Sequence, residues 1–316
     1  LKQGIVIKST GSWYIVRDKI SGDTLPCRIK GKFRLNDQEL TNPIAVGDEV
    51  SYSPEKSDQA GVVEAIAPRR NYLVRRSTRK KHFLHLLAAN IDQAIVVASI
   101  REPNIKLGFI DRFLLTAAPQ DIPTLIVISK ADILQPPDHD LLHELRTIYE
   151  PIGYPMILVS AHTGEGISAL RQHLTNKLTF VTGHSGVGKS SLVNALEPNL
   201  HLKTAVISDY SGKGQHTTTF AEMHPLSFGG AIIDTPGIKE LGFLNMEPYD
   251  VAHNFSEFFE YLPNCRFADC LHLDEPDCAV RQAIEDGHIS PLRYNSYVGI
   301  LDELNDQKYW LRKTDW

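Results

Sequence analysis

The stretch Gly183-His-Ser-Gly-Val-Gly-Lys-Ser190 constrains the fold more than any other part of this chain. It fits G-x-x-x-x-G-K-[ST] in full, after the apolar run Leu178-Thr-Phe-Val181 and before the helical pattern Ser191-Leu-Val-Asn-Ala-Leu196. Glycines there let backbone N–H groups turn inward onto an anion, and the following helix N-terminus adds partial positive charge. The ligand that suits such a loop is a nucleoside triphosphate. Gly183, His184, Ser185, Gly186, Val187, Gly188, Lys189, Ser190 and Ser191 are its candidate contacts. Lys189 would neutralise β- and γ-phosphate charge, and Ser190 would place its hydroxyl on Mg²⁺. ATP and GTP are cradled alike, so the loop leaves the base open.

The sequence around this motif reads as an α/β domain over residues 90–245. Ala94-Ile-Val-Val-Ala98, Leu125-Ile-Val-Ile128, Met156-Ile-Leu-Val159 and Ala231-Ile-Ile233 are apolar runs suited to strands buried on both faces of a mostly parallel sheet. Between two of them Leu141, Leu142, Leu145, Ile148 and Tyr149 recur at helical spacing. Asp234-Thr-Pro-Gly237 follows the last run, so Asp234 can hold Mg²⁺ and the Gly237 N–H can meet the γ-phosphate. Within Gly212-Lys-Gly-Gln-His-Thr-Thr-Thr219, one of Thr217, Thr218 and Thr219 is a natural γ-phosphate and Mg²⁺ sensor. Spacing does not select among them; Thr218 is carried forward as the candidate catalytic threonine.

Two short elements upstream address the base. Ser129-Lys-Ala-Asp132 closes one apolar run and Ser160-Ala-His162 closes another. Asp132 can accept paired hydrogen bonds from guanine N1–H and the exocyclic amine, which adenine does not offer in that arrangement. Lys130 would lay its aliphatic stem along the base, with Ala131 beside it in the loop. The backbone of Ser160, Ala161 and His162 would meet the guanine oxygen. The order is therefore base, base, phosphate, switch, magnesium. Ligands gather at the carboxyl ends of parallel strands whatever order the chain visits them in, so a circular permutation keeps the site intact.

The flanks differ in texture. Residues 1–68 carry short strands broken by turns (Gly4–Lys8, Trp13–Val16, Asp48–Tyr52, Gly61–Glu64), which suits a small barrel, OB-like in preference to SH3-like. Residues 69–89 form a basic linker: seven Arg or Lys from Arg69 to Lys81 and no acid, a solvated stretch or a contact to phosphate backbone. Residues 246–316 read as mostly α, with helices expected over 251–262 and 291–310. Between those two, Cys265-x₄-Cys270-x-His272-x₅-Cys278 offers three thiolates and an imidazole, a soft closed set that favours one tetrahedral structural zinc. Cys27 stands alone and reads as a small buried residue. No apolar run approaches membrane-spanning length and no export signal is seen, so a cytoplasmic location is expected. A net charge of −5 excludes a uniformly basic nucleic-acid binder and confines any phosphate-backbone contact to local patches. Trp13, Tyr14 and Tyr72 could stack on bases, although core packing suits most of them better.

Taken together, SKAD, SAHTGEG, GHSGVGKSS, GKGQHTTT, DTPG and the Cys–His cluster, in that order, resemble the RsgA (YjeQ or YloQ) family of circularly permuted GTPases. The resemblance covers essentially the whole chain. It implies a multidomain protein with an OB barrel, a permuted P-loop GTPase domain and a zinc-bearing C-terminal domain. It further implies hydrolysis of GTP in maturation of the small ribosomal subunit, with that subunit and its rRNA as partners; separately, a monomeric state is expected. A GTP-gated RNA-binding switch and a P-loop ATPase of nucleic-acid metabolism are the competing readings. Two positions depart from the usual GTPase pattern: Ser129 replaces an asparagine, so a base contact or loop tether is expected to weaken, and His162 replaces a lysine in a loop that works mainly through backbone. Ile238 stands where many GTPases carry a water-orienting glutamine, so intrinsic turnover is expected to be slow. His216, beside the threonines, is the candidate to orient water, and the resemblance points to the same histidine.

Overall fold

The computed structural model describes residues 1–29, 42–55, 59–76, 84–202, 221–234 and 246–312. The Gly212–Thr219 segment with His216 and its threonines, and Gly237 and Ile238, lie outside these residues.

Five strands close the N-terminal barrel: β1 (Lys2–Ser9), β2 (Tyr14–Asp18), β3 (Thr24–Ile29), β4 (Glu49–Pro54) and β5 (Gly61–Ile66). Their order is β1-β2-β3-β5-β4, with β4 returning to β1 and β3 running parallel to β5. This is the closed OB-type arrangement, in which no strand edge is left open. Inward-facing Val6, Tyr14, Val16, Cys27, Val50, Tyr52 and Val63 alternate with outward residues and fill the interior. Cys27 is fully buried among them.

The segment expected to be a linker holds a two-stranded antiparallel ribbon, β6 (Tyr72–Arg76) and β7 (Leu84–Ala89). Its apolar face, Val74, Leu86 and Ala89, packs with Ala45 at the barrel's edge. Two of the basic residues here are engaged in ion pairs. Arg69 forks onto the buried Asp48 at 2.7 and 2.8 Å, and Arg70 reaches Asp92 at 2.8 Å.

The central sheet runs β10 (Met156–Leu158), β9 (Thr124–Ser129), β8 (Gln93–Ser99), β11 (Leu178–Gly183), β13 (Ala231–Asp234), β12 (Glu222–Pro225). The first five are mutually parallel and β12 is antiparallel at the end. Beyond it, β1 of the barrel pairs with β12, with a Lys8–Glu222 ion pair at 2.7 Å across the join. Alternation within the apolar runs feeds two cores. Ala94, Val96, Ile126, Ile128 and Phe180 face helices α1 (Leu107–Ala117) and α2 (Pro136–Tyr149). Ile95, Val97, Leu125, Val127 and Val181 face α3 (Ile167–Leu174) and α4 (Lys189–Leu196). That is why these strands read as continuous apolar stretches.

At the C-terminus α5 (Pro248–His253), α6 (Ala279–Glu285) and α7 (Pro291–Arg312) enclose a further core of Val251, Phe255, Phe258, Tyr297 and Ile300. The expected helix over 251–262 stops early. Asn254 turns its side-chain amide back onto the Asp250 carbonyl at 2.7 Å, which competes with continuation. Short 3₁₀ turns follow and swing Phe255 and Phe258 together, ring centroids 5.2 Å apart, beneath Tyr297. Among the described residues no helix is long and apolar enough to cross a membrane.

Candidate nucleotide site and metal centre

β11 delivers the chain to the phosphate loop and α4 receives it. Gly183 is forced by close approach, since a Cβ there would lie 2.3 Å from the Val97 carbonyl oxygen on β8. Gly186 and Gly188 take φ of +85° and +90°, which turns the intervening N–H groups to one side. Lys189 opens α4, and its ammonium donates back to the carbonyls of Gly183 at 2.7 Å and His184 at 2.8 Å. Burial lowers its pKa, opposed by the negative charge of Asp234. Asp234 reaches this point because β13 pairs with β11 in parallel, Val181 opposite Asp234. Ser190 is half-buried in the first turn of α4, while Ser185 and Ser191 are exposed.

β9 and β10 end on the same side of the sheet and carry the base elements. Ser129 is buried, and its single hydroxyl proton is shared between the carbonyls of Val187 at 2.6 Å and Ala98 at 3.0 Å. The tether expected to weaken at this position is therefore present: serine reaches the phosphate loop itself. Lys130 sits at φ +61° and donates to the Glu102 carbonyl, and its Cε lies 3.9 Å from where a Cβ on Gly188 would stand. Its stem thus runs along the phosphate loop. Ala131 is anchored by its N–H on the Val159 carbonyl at 3.0 Å.

Asp132 is exposed, and one carboxylate oxygen accepts from the Ser160 hydroxyl at 2.5 Å. That bond foremost holds its carboxyl below the usual carboxylate range. The Ser160 oxygen accepts in turn from the His162 and Thr163 N–H groups, both at 3.1 Å. The SAH element thus aims the aspartate as well as offering backbone of its own. Nothing in the spacing signals this bond, because it joins two strands through a side chain. The wall behind both loops was also invisible in the sequence. Residues 101–106 cross there, with Pro103 near Gly186 and Lys106 Nζ 3.4 Å from His184 Nε2.

The cysteine cluster is assembled. One donor atom from each of Cys265, Cys270, His272 and Cys278 lies within 4.8 Å of every other. His272 turns Nδ1 toward the Cys278 sulfur at 3.3 Å and the Cys265 sulfur at 3.7 Å. All four cysteines of the chain are free thiols. Burial pushes the Cys270 thiol up to about 12, and raises Cys278 as well. Buried thiols gathered on one imidazole fit a soft metal ion that would hold them as thiolates. Of the aromatics, Tyr14 is buried in the barrel; Trp13 is 39 % exposed with Arg28 over its ring, and Tyr72 is 40 % exposed.

Comparison with known proteins agrees with this geometry. Residues 66–244 match the model of the RsgA GTPase family, and residues 3–63 match the RsgA N-terminal domain. A relative in Flavobacterium psychrophilum, named small ribosomal subunit biogenesis GTPase RsgA, is 49 % identical over 97 % of this chain and 94 % of its own. One of the same name in Bacteroides fragilis is 46 % identical over 97 % and 98 %. Among solved structures, YjeQ from Thermotoga maritima superposes with a TM-score of 0.76 at 36 % identity, covering 96 % of this chain and 98 % of that one. YloQ, described as a circularly permuted GTPase, gives 0.70 at 33 % identity over 97 % and 96 %. The base-before-phosphate order, the shared fold and identity along nearly the whole length make this chain a member of the RsgA GTPase family.

Proposed function

We propose that the protein hydrolyses GTP to GDP and phosphate during late maturation of the small ribosomal subunit, and that the subunit stimulates this turnover. The observation that carries the nucleotide part is the joining of base and phosphate elements. Ser160 aims Asp132, and Ser129 ties the Asp132 loop to Val187. The biological setting rests on the names borne by the relatives.

In this reading Asp132 accepts the two guanine donors, the Lys130 stem covers the base, and the Ala161 backbone meets the guanine oxygen. The amides of Gly186, Val187, Gly188 and Lys189 face the phosphates, and Lys189 offsets their charge. Ser190 and Asp234 supply hard oxygen donors that would hold Mg²⁺, which, when bound with the nucleotide, neutralises charge on the phosphate oxygens. Gly237 and one of Thr217, Thr218 and Thr219 complete the γ-phosphate end, and His216 orients the attacking water. Cys265, Cys270, His272 and Cys278 hold one structural Zn²⁺. The domain division is 1–68, 69–89, 90–245 and 246–316, and the protein acts as a cytoplasmic monomer on ribosomal RNA.

Multiple-turnover hydrolysis measured with and without purified small subunits tests this. GTP should be consumed in preference to ATP, at a rate that rises when subunits are added. An unchanged rate would leave a GTP-gated RNA-binding switch, and equal competition by ATP would overturn the guanine assignment. His216→Ala should lose the stimulated rate while still binding GTP; full stimulated turnover in that variant would remove the role given to the histidine.

A further inference from the structure

We propose that helix α1 couples the C-terminal domain to the nucleotide loops, and that Arg112, Glu303, Asp111 and Arg293 are positioning residues for nucleotide binding. The inference rests on the nucleotide site proposed above, and deepens it.

The N-terminal end of α1 belongs to the nucleotide site. The Ser99 hydroxyl donates to the Pro103 carbonyl at 2.9 Å, which fixes the segment leading into the helix. From that segment the Glu102 carbonyl accepts from Lys130 of the base loop, and Lys106 reaches His184 of the phosphate loop. Phe109, in the first turn of α1, sets its ring edge-on to His184 with centroids 5.9 Å apart. One short stretch therefore braces both loops from behind.

Other positions on the same helix belong to the C-terminal domain. Asp111 is fully buried and accepts from Tyr149 at 2.7 Å and from Arg293 of α7 at 2.5 Å. Arg293 also forks onto Glu257 at 2.6 and 3.1 Å and lies over the Phe255 ring at 4.4 Å. Arg112 pairs with Glu303, and Leu115 lies in the C-terminal core. Phe109 and Leu115 are six residues apart on one rigid helix, about 9 Å. A buried ion pair adds little net stability over an apolar contact, but it fixes register, because either charge alone is strongly disfavoured. The register being fixed here is that of α7 on α1, and hence of α1 behind the loops.

The Arg112–Glu303 pair gives a test that spares the core, since both side chains are about one-third exposed, 32 % and 36 %. In the full-length protein, Arg112→Glu and Glu303→Arg should each raise the Kd for GDP and for GTP by about fivefold or more, the lower range of coupling between sites. KM should rise with them while kcat at saturating GTP stays as in the parent. The double exchange Arg112→Glu/Glu303→Arg should restore the affinity. Coupling is reciprocal, so GDP should slow amide exchange in α7 of the unaltered protein. Single variants that lower thermal stability yet leave both Kd values unchanged would overturn the coupling, as would α7 exchange indifferent to GDP. Failure of the unaltered protein to bind any guanine nucleotide would instead overturn the site itself, a result separable from insensitive variants.

Discussion

Ser129 and Ser160 do related work with one hydroxyl each. Ser129 holds the base loop to the phosphate loop, and Ser160 holds the Asp132 carboxylate in place. Removing the first, Ser129→Ala, leaves the Val187 carbonyl inside without its donor, at a cost of about 1–3 kcal/mol. We expect GDP affinity to fall roughly tenfold by equilibrium titration, with the preference over ADP retained through Asp132. Ser160→Ala acts through protonation. Its bond is the foremost reason the Asp132 carboxyl sits below the usual range. A depressed carboxylate supports binding above that range and loses it as pH falls through its own pKa. Without Ser160 the pKa moves back up, so binding should fail at a higher pH on acidification than in the parent protein. Overlapping pH profiles for the two would show that Ser160 does not tune Asp132. Asp132→Asn tests the base reading directly. An amide offers one acceptor and one donor where guanine needs two acceptors, so affinity should shift from guanine toward xanthine nucleotides. Unchanged selectivity would show that another group reads the base.

Much of the element layout was legible because burial on both faces leaves a plain mark. β8, β9, β10, β11 and β13 are apolar runs with no polar alternation, and α2 shows a clear helical stripe. The strands that escaped notice each carry residues that hide them. β3 contains Pro26, which pairs at Ile15 without needing an N–H, and β12 is four residues ending in Pro225. For β6 and β7, the Arg and Lys run from Arg69 to Lys81, which includes Arg75 and Arg76 of β6, gave the look of a charged linker, although one face of the ribbon is apolar. The site residues were legible for a different reason: each sits in a short motif at a strand end. Their supports were not, since Ser129–Val187, Ser160–Asp132 and Lys106–His184 are contacts between elements distant in sequence. Gly183 is where element and site meet. Gly183→Ala would set a methyl 2.3 Å from the Val97 carbonyl and push β11 away from β8 at the loop. Overpacking of that kind costs about 1–3 kcal/mol. A lower melting temperature together with lost nucleotide binding is expected by calorimetry. A variant of parent stability and affinity would show that the two strand ends can part without harm.

At the scale of the whole molecule, the permutation places the phosphate end of the site next in sequence to the C-terminal domain, and α1 adds a second connection through space. What organises that domain is the Cys–His loop. Tyr294 and Tyr297 of α7 donate to the His272 and Leu271 carbonyls, each at 2.6 Å, and Phe258 sets its ring edge-on to His272 at 5.6 Å. The loop and α7 are therefore one packed unit, and whatever holds the four ligands holds the helix. A bound divalent ion would offset most of the charge on three thiolates, with the neutral imidazole completing the set; without it, the thiols must stay protonated or become solvated. Chelation under reducing conditions should release about one zinc per chain, and three thiols should become reactive while Cys27 stays protected in the barrel core. The unfolding trace should then lose the transition belonging to the C-terminal core, and returning zinc should restore it. Because α7 carries Arg293 onto Asp111, the stripped protein should also bind GDP more weakly than the intact one. Stripped protein with parent affinity but a melted C-terminal core would keep the metal structural while separating it from the nucleotide. Protein that contains no zinc when purified with its thiols reduced would remove the metal assignment itself.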